Sequence, residues 1–166
     1  FFLNQEGFLK LKKNPADSYA DIDYGSKAFA LDPARIYINL EGKYPRGGVK
    51  PQDRDTVIEE LISSLKSLAI DGRRVVDGIY RKEEIFEGPF LELAPDLVLL
   101  PSSGFDFKAT LKAGQLSGRG IFTGKHTQKD AFLLTNNPST AIIPDKPCVS
   151  DVVGIMDRLR ERHGNR

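Results

Sequence analysis

His126 is one of two histidines in 166 residues. It stands in the stretch TGKHTQKDAF (123–132), flanked by apolar runs. Three chemistries are open to it. A phosphate-binding loop would need Gly, four residues, then Gly-Lys-Ser/Thr, with the hydroxyl reserved for magnesium. Position 119 is Arg and position 126 is His, so that pattern fails. A catalytic zinc site needs three protein ligands. The chain offers His126, His163 in a charged tail, and scattered carboxylates such as Asp21, Asp23, Asp145, Asp151 and Asp157, which read as loop and cap residues. His126 is therefore either an ordinary loop histidine, which the residues alone favour, or a ligand whose partners lie elsewhere. No Gly-x-Ser-x-Gly nucleophile elbow occurs. Gly118 and Gly120 lack the third glycine of a dinucleotide loop.

These residues must be held by elements that the pattern outlines. Residues 1–13 read as a short helix or strand ending in a turn at Asn14-Pro15. Residues 14–34, rich in Asp, Gly, Ser and Pro, read as an irregular connection. RIYINL (35–40) reads as a strand, and Tyr37 and Asn39, two apart, share one of its faces. Both are candidates to line a substrate pocket, though the residues alone favour core packing and a sheet-end hydrogen bond. Tyr24 is a candidate to stack on a nucleotide base. Val57, Leu61, Leu65 and Leu68, with Ile58, Ile62 and Ala69 beside them, make one apolar stripe on a helix. Asp53 or Asp55 would cap that helix and Asp71-Gly72 would stop it, with Arg73-Arg74 complementing its dipole.

RVVDGIY (74–80) reads as a strand bent or bulged at Asp77-Gly78, and KEEIF as one helical turn. PDLVLLP (95–101) and AFLLTNN (131–137) read as strands buried on both faces, as in a parallel sheet. Ser150 would cap a last helix with Val152, Ile155, Met156 and Leu159 on its buried stripe. Strands alternating with helices predict an α/β layered fold.

Composition narrows the function. A net charge of +1 points to neither a nucleic-acid polymer nor a membrane surface. No apolar run reaches the roughly 20 residues of a membrane span. Cys148 is alone, which excludes an internal disulfide and fits a reducing, cytoplasmic setting. Phe1 lacks an initiator Met and reads as an internal start.

The order RIYINLEGKYPRGGVKP, RKEEIFEGPFLELAPDLVLLPSSGFDFKATL, FTGKHTQKDAFLL and VSDVVGIMDRL resembles the C-terminal portion of the type I phosphodiesterase/nucleotide pyrophosphatase family, in the alkaline phosphatase superfamily. PDLVLL and GKHTQKDA are the most specific pieces. Val153-Gly154 depart from the Ala-Pro common in relatives. The resemblance implies an alkaline-phosphatase-like layered sheet with flanking helices, present as a C-terminal fragment of one domain, with 1–34 as lead-in and 35–166 as α/β core portion. It implies that His126 is a metal ligand, joining an Asp and another His around one of two divalent ions, usually zinc. Thr127 or Asp130 would orient the imidazole, and Lys125 would face substrate phosphate. The intact enzyme would cleave a phosphoester or nucleotide through a Thr or Ser nucleophile, which is expected upstream together with an Asp-His-Gly motif and most of the ligands. The fragment itself is expected to be inactive, to hold no zinc tightly and to cover its open sheet edge by forming a homodimer. The competing readings are a non-catalytic α/β binding module, and a sulfatase or phosphomutase relative.

Overall fold

The computed structural model describes residues 1–13, 16–121, 132–135 and 142–164. The chain divides into two compact units, Phe1–Thr123 and Gly124–Arg166.

The first unit is a mixed α/β structure built on a four-stranded antiparallel sheet. Its elements are α1 (Phe2–Gln5), β1 (Ala28–Phe29), β2 (Arg35–Ile38), α2 (Arg54–Ser67), β3 (Ala69–Ile70), β4 (Arg73–Arg74), β5 (Val76–Arg81), α3 (Lys82–Ile85) and β6 (Leu97–Pro101). The sheet runs β1-β2-β6-β5, with every neighbouring pair antiparallel, and β3 and β4 form a separate hairpin. The parallel sheet expected from PDLVLLP is thus corrected. In β6, Leu97 and Leu99 are buried while Val98 and Leu100 are only half-buried. The strand alternates as an antiparallel strand does, but its outward positions are also apolar, which hides the period.

In α2, Val57, Ile58, Leu61 and Leu65 are buried and pack with Ile36, Ile38, Leu97 and Leu99 of the sheet in one core. The 3.6-residue period puts these four on one face. Burying each contributes about 1.5–3 kcal/mol. Asp53 occupies the N-cap position without a side-chain cap bond, and the helix ends at Ser67. Asp71 and Gly72 therefore do not stop α2. They have φ of 51° and 72° and form the two-residue turn of the β3–β4 hairpin, the conformation an Asp-Gly pair favours. Arg73 and Arg74 consequently lie in β4 rather than at a helix end. Arg73 sits over the Phe105 ring, and Arg74 pairs with Asp77 at 3.2 Å. The bulge at Asp77 is present, between Val76 and Gly78.

Residues 16–34 are more ordered than their composition suggests. They hold a 3-10 turn at Tyr19–Asp21 and strand β1. Lys12 N–H donates to the Asp21 carbonyl and Asp23 N–H to the Lys10 carbonyl, which pairs this stretch with residues 10–12. The turn expected at Asn14-Pro15 lies outside the described residues.

In the second unit, Phe132–Thr135 carry no strand, and Phe132 and Leu134 are about nine-tenths exposed (90% and 86%). The second buried strand is therefore absent over these four residues. The last helix, α4 (Val152–Gly164), follows a 3-10 turn, Val149–Asp151. Ser150 lies within that turn rather than capping the helix, and Cys148 caps the turn, its N–H donating to the Asp151 carboxylate at 2.8 Å. Of the expected stripe only Ile155 is buried, while Val152 and Met156 are exposed and Leu159 is half-buried. No helix among the described residues is long and apolar enough to cross a membrane.

Candidate functional site

Two constellations in the first unit bring polar chemistry together. The first is the Asp96 node. Asp96 precedes β6 and has no exposure to water. Its Oδ2 accepts the Ile38 N–H at 2.8 Å, and its Oδ1 accepts Arg54 Nε at 3.0 Å and Nη2 at 2.8 Å. The Lys82 N–H donates to the Asp96 carbonyl at 3.2 Å. One residue thus joins β2, the first turn of α2 and the start of α3. Burial works against the Arg54 charge. The Asp96 hydrogen bonds and the charges of Asp96, Glu83 and Asp55 more than offset it, so the guanidinium pKa is raised. Every donor and acceptor here has an internal partner, which is the arrangement of a structural clamp.

The second constellation is a cleft of about 430 Å³. Three segments build it. The Tyr19–Asp21 turn is fixed by Ser18, whose hydroxyl accepts the Ala20 N–H, and by Asp21, whose carboxylate accepts the N–H groups of Asp17 and Ser18. Those bonds hold the Asp21 carboxyl below the usual carboxylate range. Strand β1 contributes Phe29, which stacks on Tyr37 at 5.7 Å and meets Tyr44 edge-on at 5.1 Å. The loop 40–49 contributes Tyr44, Pro45 and Arg46. It is closed by the Glu41 and Val49 N–H groups, which donate to Val49 and Asn39 carbonyls, and by Gly48 N–H to the Asn39 carbonyl. A side chain at Gly47 would run into the Leu40 carbonyl, and one at Gly48 would come within 2.8 Å of the Tyr24 carbonyl. Asn39 locks the segments together. Its Nδ2 donates to Tyr24 and Ser26 carbonyls at 3.1 and 3.0 Å and reaches the Arg46 carbonyl at 3.5 Å.

Arg46 lines the cleft, and Lys12 and Lys43 lie near two of its rings. The Arg46 guanidinium lies 4.2 Å from the Tyr24 ring centroid and Lys12 Nζ lies 4.5 Å from it. Lys43 Nζ is buried without a hydrogen-bond partner, 5.5 Å from the Tyr44 ring centroid. Burial pushes the Tyr44 phenol up to about 12, with help from the charge of Asp96 and from Tyr37.

No family model, curated protein or solved structure matches the chain.

His126, Thr127, Asp130 and Lys125 lie outside the described residues. Of the other candidates, Asn39 and Tyr24 line the cleft and Tyr37 does not. Asn39 falls just past the end of β2, with its amide committed to carbonyls. Tyr24 has two cations over its ring, so a stacked base would have to share or displace them. Among the described residues no group of three or more His, Cys, Asp or Glu side chains could hold a metal ion. The donors of the expected two-metal centre would be His126 and groups outside the described residues. Sequence reasoning missed Arg46 and Tyr44 as cleft residues. The signal present was Arg-Gly-Gly at 46–48, since paired glycines mark places where backbones approach closely.

Proposed function

We propose that this chain is the C-terminal portion of a metal-dependent phosphoric ester hydrolase, a phosphodiesterase or nucleotide pyrophosphatase whose Thr or Ser nucleophile comes from outside these 166 residues. One observation carries the reading. RIYI and LVLL, drawn from two separate stretches of the resemblance, are adjacent antiparallel strands at the centre of one sheet. That arrangement is compatible with the mixed α/β fold the reading requires. The alkaline-phosphatase-like architecture, the zinc pair and the ligand role of His126 belong to this proposal. The 166-residue chain alone is inactive on this reading, because a single imidazole neither activates a nucleophile nor steadies a leaving oxygen.

The test is hydrolysis of bis-p-nitrophenyl phosphate by the protein that includes the sequence upstream of Phe1. Hydrolysis should stop with chelator and return with zinc. His126→Ala should lose more than the roughly 10–100-fold that removal of a supporting contact to a metal ligand costs. Chelator-insensitive turnover, or full activity in His126→Ala, would overturn the assignment. The aromatic cleft favours a second reading, a non-catalytic binding module. That reading predicts ligand binding with no phosphoester turnover in the same protein.

A further inference from the structure

We infer that the cleft formed by the Tyr19–Asp21 turn, β1 and the 40–49 loop is a binding site for a small planar aromatic anion. Its volume of about 430 Å³ lies within the roughly 300–1,000 Å³ of small-molecule sites. Four of its eleven lining residues are aromatic, and two of these are half exposed: Tyr19 is 51% and Tyr24 47% exposed although both line a concavity. The Tyr24 ring carries Arg46 and Lys12 over it, so a flat occupant would stack on Tyr19 and lie beside that cationic pair.

The sign of the charge follows from the cations. Arg46 makes no ion pair among the described residues, and its guanidinium lies over the Tyr24 ring. Lys12 donates to the Ala20 carbonyl, which carries no net charge. Asp23 is the one carboxylate lining the cleft, and its Oδ1 already accepts the Gly25 N–H at 2.8 Å. Asp21 adds a second negative charge near Lys12, but its carboxylate is engaged by two N–H groups. Arg46 presents a planar fork suited to two parallel hydrogen bonds to an oxyanion. This inference is independent of the hydrolase reading and needs no metal.

Calorimetric titration of the 166-residue protein with 2-naphthoate tests it. Saturable binding at about 1 mM or below is expected. Cyclohexanecarboxylate, which is not flat, and 2-naphthylmethylammonium, which has the opposite charge, should each bind about tenfold or more weakly. Arg46→Gln should weaken 2-naphthoate by about tenfold. Arg46→Glu should invert the preference toward the ammonium probe. Circular dichroism and the urea midpoint of each Arg46 variant establish that it is folded. Absence of saturable binding, equal affinity for all three probes, or an unchanged preference in folded Arg46→Glu would overturn the inference.

Discussion

Asp96 and Tyr44 show how single residues set the balance of this molecule. Removing the Asp96 carboxylate leaves Arg54, Ile38 N–H and the first turn of α2 without their shared acceptor. Breaking a buried pair from one side costs about 3–5 kcal/mol, so Asp96→Ala should lower the urea-unfolding free energy by about that amount. Arg54→Ala should cost a similar amount, since it strands a carboxylate that has no exposure to water. The double variant should cost less than the sum. Tyr44 gives a pH signature. Its folded pKa, up to about 12, lies above its ordinary value of 10.0. The folded protein therefore holds that proton more tightly than the unfolded chain. Its contribution to stability is complete below pH 10 and is lost as pH rises through about 12. Absorbance at 295 nm should show a phenol step near that pH, and Tyr44→Phe should remove the step.

At the scale of elements, the sequence revealed periods better than partners. The α2 stripe was legible because four of its apolar residues recur at the helical spacing and are buried in the core. Leu61→Ala should cost about 2–5 kcal/mol by chemical denaturation. Asp71-Gly72 was recognised as a break, but the same two residues serve a helix stop and a hairpin turn. Only the pairing of β3 with β4 decides between them. The direction of β6 could not be read, because Val98 and Leu100 are apolar on the less buried side. The cleft was half legible. Tyr24 and Asn39 stood out by type. Their joining to the 40–49 loop depends on hydrogen bonds from one amide to three distant carbonyls, which no local pattern encodes. Gly47→Ala tests that joining. It should destabilise by about 1–3 kcal/mol and weaken 2-naphthoate binding, because the loop must shift to admit the methyl group.

The whole molecule carries two compact units, and the chemistry proposed for each is of a different kind. The aromatic cleft belongs wholly to the first unit, and His126 belongs by number to the second. A chain ending at Thr123 should retain a cooperative urea transition and the 2-naphthoate site, and circular dichroism with calorimetry checks both. Loss of the cooperative transition would mean that the core in Phe1–Thr123 needs the rest of the chain to stand.

The placement of β2 beside β6 has a kinetic consequence. Ile38 and Asp96 are 58 residues apart in the chain, and α2, the hairpin and β5 all lie between them. The centre of the sheet cannot assemble until that whole excursion has been drawn in, and such distant pairings slow folding. Refolding by stopped flow should therefore have its main barrier at this closure. Asp96→Ala should slow the refolding limb, while Tyr44→Phe, at the cleft, should leave it unchanged.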